Sequence, residues 1–307
     1  MPKYKSWLKN PSRFISMTGY TIEDFNRLLP YFEEAHDQYL SKHEISGKKK
    51  SGFRRFVIYQ SSPLPSYGDR LCFILFYFKH NPVQEVQADL FDMEQGQANA
   101  YIHGLQTILN LALERAKCMP ARTNAEFQTI LKTFEDKELI HDGSEREVPR
   151  PQDKDLQENQ YSGKKKKHTI KNAFVASMFG VILFVSPTYA GRVHDKSIAD
   201  NYHIPPGFSL WQDTGYQGYS PVDVDIIQPT KKPKGKDLTE DQKNMNRSIS
   251  SVRVRIEHFI GGVKRYRIVK DECRAYKNDF RDKIIGACTA LYNFRIIENK
   301  PQYADNQ

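Results

Sequence analysis

The feature that most constrains the fold is a change of hydrophobic period partway along the chain. Up to about Ala116, apolar residues recur at i, i+3 and i+4, the spacing of helices with one buried face. Thr21 reads as an N-cap, with Glu23 and Asp24 in the first turn ahead of Phe25, Leu28, Leu29 and Phe32. A basic run, Lys48 to Arg55, and a Pro/Gly-rich stretch, Ser62 to Gly68, then read as a loop. Leu71 to His80 forms an apolar helix stopped by Asn81-Pro82, and Val83 to Phe91 and Ala98 to Ala116 follow as two more. A short helix, a tight turn around Asp92 to Gln95 and a longer helix make the outline of a helix-turn-helix near 71–116. A generic helical bundle has the same outline, so periodicity leaves both open.

From about Leu139 the texture becomes that of strands. Glu138 to His141 leads into Asp142-Gly143, and the charged, Pro-containing stretch from there to Lys167 reads as an exposed loop. His168 to Ser177 and Gly180 to Ser186 are β-type runs joined hairpin-fashion through Met178-Phe179-Gly180. Phe208 to Gln212 and Asp223 to Gln228 are two further short strands, and helical spacing returns over Ser248 to Arg267. Three strands, a helix, two strands and a helix predict a mixed α/β sheet with helices packed on it. The expected division is a helical domain over 1–125 and an α/β domain over 126–307.

Composition narrows the partners. With 46 Lys+Arg against 37 Asp+Glu the net charge is +9, which suits a polyanion, nucleic acid first. A membrane partner is not expected. There is no basic amphipathic helix or lipidation signal near a terminus, and the apolar run Leu71 to Phe78 is far short of the roughly 20 residues a span needs. Met1 to Asn10 lacks the apolar core of a secretory signal, so the expected location is the cytoplasm. Cys72, Cys118, Cys273 and Cys288 lack zinc or disulfide spacing and are expected to be reduced thiols.

Three acids stand where chemistry would need them. Cleaving a phosphodiester requires a nucleophile made from water and charge stabilisation on both the attacking and leaving oxygens. Paired divalent cations supply both, and they need converging carboxylates on rigid elements. Asp142 and Asp213 each follow an apolar strand run, and Glu257 lies beside the stripe Ile249, Val252, Ile256, Phe259 and Val263. Arg253 and Lys264 fall four before and seven after Glu257, on nearly the same helix face, as cations for phosphate. Taken singly, an Asp after a strand is more often a turn former, and a Glu in a basic helix an ion-pair partner.

The ordered blocks Asp142-Gly143-Ser144-Glu145-Arg146, Tyr161 to Thr169, Gly191-Arg192-Val193-His194-Asp195-Lys196, Asp213-Thr214-Gly215-Tyr216, Arg253 to His258 and Gly262 to Tyr266 resemble the DDE superfamily endonucleases of bacterial insertion sequences and their Harbinger-type relatives. Ser144, where relatives often have Thr, is a mild departure. The resemblance implies an RNase H-like catalytic core, a mixed sheet flanked by helices, preceded by an all-α domain with a helix-turn-helix. It implies Asp142, Asp213 and Glu257 as catalytic metal ligands, for Mg²⁺ with Mn²⁺ as substitute, two ions in number. His194 and Asp195 are also part of the family pattern. Asp213 is preferred as second acid because it follows a strand, whereas Asp195 opens a helix, where Asp is a good first-turn residue.

The function so implied is a DNA transposase that binds terminal inverted repeats, hydrolyses the element's ends and transfers the 3′-hydroxyl to target DNA. Lys164, Lys165, Lys166, Lys167, Arg253, Lys264 and Arg265 are the expected DNA contacts, a homo-oligomer the expected assembly, and the bacterial nucleoid the expected location. Two alternatives stand beside it: a catalytically silent, transposase-derived DNA-binding protein, and an RNase H-like nuclease without strand transfer.

Overall fold

The computed structural model describes residues 3–52, 57–275 and 278–299. Residues 53–55 of the basic Lys48–Arg55 run lie outside them. The chain divides into two compact units, each drawn from several segments: residues 1–119 with 264–271 and 283–295, and residues 120–263 with 272–282 and 296–307.

The first unit is helical. It holds α1 (Lys3–Leu8), α2 (Pro11–Thr18), α3 (Ile22–Lys42), α4 (Tyr67–His80), α5 (Gln84–Leu90) and α6 (Gln95–Arg115). Local chemistry sets the ends. Thr21 caps α3 by accepting from the Asp24 N–H, Ser66 caps α4 by accepting from the Asp69 N–H, and Asn81, in the left-handed region, ends α4 just before Pro82. Residues 71–75 and Phe78 of α4 are fully buried, with α2, α3 and α6 packed around the helix. The short α5, a tight turn with Asp92 at φ 55° and the long α6 give the helix-turn-helix outline that the spacing predicts.

The second unit is a mixed sheet with helices. It contains α7 (Asn124–Thr133), β1 (Glu138–Glu147), α8 (Lys154–Gln160), β2 (Tyr161–Ser162), β3 (Lys167–Ser177), β4 (Ile182–Val185), β5 (Tyr189–Ala190), α9 (Asp195–Ala199), β6 (Ser209–Trp211), a 3₁₀ turn (Thr214–Tyr216), β7 (Asp225–Ile227) and α10 (Glu240–Val263). The main order is β2-β3-β1-β6-β7, with β4 and β5 also on β3. β3 runs antiparallel to β1 and β4, while β6 and β7 run parallel to β1. This is the RNase H-like arrangement expected of the chain. Two further helices follow: the short α11 (Arg267–Lys270), in the first unit, and the long α12 (Asn278–Asn299), whose residues 283–295 also belong there.

Three expectations are corrected. The stretch after Asp142 is not a loop. β1 continues to Glu147 because β3 supplies backbone partners as far as the Glu147–Thr169 pair, and α8 follows. The helix expected from Ser248, α10, starts at Glu240 instead. Thr239 and Gln242 exchange side-chain-to-backbone hydrogen bonds there, a capping box that the search for apolar spacing passes over. Finally, a cut after residue 125 would split α7, which packs on β4, and would remove residues 264–271 and 283–295 from the helical unit. In that unit the Tyr20 hydroxyl donates to the Leu291 carbonyl at 2.6 Å and Asn293 donates to the Cys118 carbonyl at 3.1 Å.

All four cysteines are free and buried, and among the described residues no helix is long and apolar enough to cross a membrane.

Candidate active site

Strand register brings the first two acids side by side. In the parallel β1–β6 pair Ile140 stands opposite Trp211, and two residues further along each chain are Asp142 and Asp213. The β6 ladder ends at Trp211, so Asp142 lies in β1 just beyond the reach of its parallel neighbour. α10 packs across both β1 and β6 on the buried residues Ile249, Ile256, Ile260 and Val263. It thereby carries Arg253 and Glu257, one turn apart, toward the same place. Arg253 pairs with Asp213 at 3.2 Å.

The electrostatics register this convergence. Burial pushes the Asp142 carboxyl up to about 6, and the like charges of Asp213 and Glu257 add to the rise. The Gly143 N–H, donating to Asp142 Oδ1 at 2.8 Å, and the Arg253 guanidinium pull the other way. Desolvation and neighbouring carboxylates both disfavour the ionised acid.

Asp195 is also close. It opens α9, with His194 exposed at the N-cap position and making no side-chain cap. A Cβ added to Gly215 would lie 3.3 Å from Asp195 Oδ2 and 3.9 Å from Asp213 Oδ2. One added to Gly143 would lie 3.6 Å from Asp195 Oδ1 and 3.2 Å from the Tyr216 hydroxyl. The two glycines therefore leave room for the acids and Tyr216 to crowd together. Lys171 holds Asp195 at 3.2 Å and Glu145 at 3.5 Å.

Sequence reasoning did not single out the residues beneath the acids. Tyr216 is buried, and burial together with Asp195, Asp142 and Asp213 raises its hydroxyl well above the usual range. That hydroxyl has no hydrogen-bond partner among the described residues. The Tyr216 ring lies 3.8 Å from that of His141, whose Nε2 meets the Tyr202 hydroxyl. Burial lowers His141 to about 3, so it is neutral. Tyr216 closes the Asp213-Thr214-Gly215-Tyr216 block, and its place in that block was the only available signal.

Among the described residues no group of three His, Cys, Asp or Glu side chains stands close enough to enclose a metal ion. The donor set still fits a hard divalent cation in kind. It offers carboxylate oxygens from a strand, the turn after a second strand and a helix, a repulsion that a cation would relieve, and a buried hydroxyl without a hydrogen-bond partner among the described residues.

The expected DNA contacts separate into three places. Lys164 to Lys167 lie exposed at the turn between β2 and β3, where Lys167 pairs with Glu147 at 2.8 Å. Arg253 sits among the acids. Lys264 and Arg265 come after α10, which ends at Val263, four residues before the Arg267 that apolar spacing suggests, and they belong to the helical unit.

A helix-turn-helix and a mixed sheet carrying acids past the ends of neighbouring strands match the class the sequence blocks resemble, and comparison with known families agrees. A model of the DDE superfamily endonucleases matches residues 141–293, and a model of the helix-turn-helix of DDE superfamily endonucleases matches residues 62–115. The chain belongs to the DDE superfamily of endonucleases, a family that uses divalent metal. One similar protein is the probable transposase for insertion sequence element IS702 of Microchaete diplosiphon, 28% identical over 162 residues. That match covers 52% of this chain and only 57% of the relative's length. No solved structure matches. These matches do not bear on the kinship with Harbinger-type enzymes.

Proposed function

We propose that this chain is a DNA transposase: it binds the terminal inverted repeats of a mobile element, hydrolyses phosphodiester bonds at the element's ends and transfers the resulting 3′-hydroxyl to target DNA. The register that sets Asp142 and Asp213 alongside each other, with Glu257 on α10 near enough to raise Asp142, carries this reading. These three acids are the proposed holders of two Mg²⁺ ions, with Mn²⁺ as substitute. When bound, such ions supply the acidity that makes a nucleophile of water or a 3′-hydroxyl and the charge that steadies the leaving oxygen.

The chain's own groups do the rest. Arg253 balances Asp213 before a cation arrives, and is placed to meet a phosphate once that carboxylate has another partner. Lys171 holds Asp195 much as Arg253 holds Asp213, so the preference for Asp213 as the second ligand rests on its place just past β6, alongside Asp142. Tyr216, Tyr202 and neutral His141 stack into a buried aromatic layer next to Asp142. Lys164 to Lys167 are the proposed backbone contacts of this unit. A homo-oligomer bridging two ends and residence in the bacterial cytoplasm, on the nucleoid, complete the reading.

The test is cleavage and strand joining with DNA that carries the element's ends, in Mg²⁺ or Mn²⁺. Asp142→Ala and Glu257→Ala should each abolish both products, and undiminished activity in either would sink the assignment. The Arg253–Asp213 pair, which occupies one of the acids, lends support to a second reading, a catalytically silent DNA-binding relative. Specific binding without metal-dependent cutting would favour it.

A further inference from the structure

The helix-turn-helix is short of the charge that DNA binding requires. From His80 to Glu114 the sequence contains no Lys or Arg, while Glu85, Asp89, Asp92, Glu94 and Glu114 are all exposed. Duplex DNA carries one charge per about 1.7 Å of axis, and most affinity comes from cations set against it. The exposed polar residues at the start of α6, Gln95, Gln97 and His103 among them, suit base edges but cannot grip phosphates. The grip has to come from outside residues 80–114.

A cationic cluster in the helical unit meets the need. Lys79 sits in the last turn of α4, which packs against α11. Its stem passes over Gly19 beside Tyr266, so that a Cβ on Gly19 would lie 3.5 Å from Lys79 Cδ and 3.4 Å from the Tyr266 ring. Its ammonium donates to the Arg265 carbonyl at 3.2 Å. Burial and the charges of Arg265, Arg295 and Lys270 lower Lys79, and burial with Arg295 lowers Arg265, as expected of cations packed against one another. The acids at its margin are already engaged: Asp271 with Arg267 at 2.9 Å, and Asp24 with Arg27 at 3.7 Å and Arg295 at 4.0 Å. Among the described residues no carboxylate pairs with Lys79, Arg265 or Lys270. Like charges gathered from three separate segments are costly to assemble without an anionic partner.

We infer that Lys79, Arg265, Lys270 and Arg295 form a phosphate-binding surface of the helical unit, and that its partner is the backbone of duplex DNA. This rests on the DNA-binding reading above and adds where the backbone is held. The helix-turn-helix edge then reads sequence, and the end of α4 with α11 and α12 supplies affinity.

The experiment measures the salt dependence of binding between the full-length protein and a fluorescent duplex of random sequence. Lys79→Gln and Lys270→Gln should each reduce the slope of log Kd against log salt by about 1, and the double variant by about 2. Lys79→Arg should keep the wild-type slope. Lys42→Gln is the control. Lys42 is exposed and lies 18 residues along α3 from Asp24, about 27 Å at 1.5 Å per residue, and its slope should not change. Thermal melts of each variant check that the fold is kept. Unchanged slopes in the Lys79 and Lys270 variants, or an equal drop with Lys42→Gln, would overturn the surface while leaving DNA binding intact. A wild-type protein that ignores duplex DNA would overturn the DNA-binding reading itself, and the surface with it.

Discussion

His141 and Asp142 are neighbours in β1, yet their protonation is pulled in opposite directions. His141 is held neutral down to about 3 against an ordinary 6.5, so the unfolded chain binds the extra proton between those values and stability falls as the medium is acidified. Asp142 is raised to about 6 from 3.8, so in that window the folded chain binds the extra proton and stability rises on acidification. The two effects oppose each other between about pH 4 and 6. Asp142→Asn removes one of them, and its unfolding midpoint should therefore drop more steeply with acid than that of the wild type. A pH series of thermal melts measures this. The raised Asp142 also predicts that cation-dependent cutting weakens as pH falls through about 6, since a protonated carboxyl is a poor ligand. Arg253→Gln, which removes a charge that lowers Asp142, should move that limb of the pH–rate profile upward. No movement, or a downward one, would contradict the arrangement of the acids.

At the scale of elements, tight contacts decide which substitutions the fold tolerates. A Cβ on Gly104 in α6 would lie 2.2 Å from the Ile45 carbonyl, and one on Gly191 would lie 2.1 Å from Thr169 Oγ1 and 2.8 Å from two backbone oxygens. Neither backbone neighbour can move aside cheaply, so Gly104→Ala and Gly191→Ala should each cost about 1–3 kcal/mol in denaturant unfolding. Helix ends are worth somewhat less. Ser66→Ala, which removes the acceptor for the Asp69 N–H, should cost about 1 kcal/mol. The caps and stops were legible in the sequence, Thr21 and Asn81 among them, because a cap depends on residues only a few positions apart. The Thr239–Gln242 box was equally local but lay outside the apolar stripe, and attention to hydrophobic spacing alone missed it.

For the molecule as a whole, the helical unit is completed by residues far along the chain. Leu291 and Phe294 are fully buried there, and the Phe294 ring packs between Tyr20 at 6.3 Å and Tyr31 at 6.4 Å. A fragment of residues 1–125 should consequently lack a fixed core, with poor amide dispersion by NMR, whereas the full chain should show a cooperative melt. Metal should act on stability as well as chemistry. Mn²⁺ at about 100 times its Kd would stabilise by about 2.7 kcal/mol through linkage, raising the melting temperature of the wild type but not of Asp142→Ala.

The sequence by itself determined the change from helices to strands, the helix-turn-helix outline and the caps at Thr21 and Asn81, since period and capping act over a few residues, and it singled out Asp142, Asp213 and Glu257 as candidate acids. The three-dimensional fold decided what depends on partners distant in the chain. β1 and β6 pair as far as Ile140–Trp211, which sets Asp142 and Asp213 two residues beyond on each chain, and Arg253 pairs with Asp213. Tyr216 is buried close to the carboxylates, and Lys79 meets Arg265, Lys270 and Arg295 from segments about two hundred residues away. Hydrophobic spacing shows which face of an element is buried. What it is buried against follows from strand register and the closing of long loops, and only the folded chain expresses those.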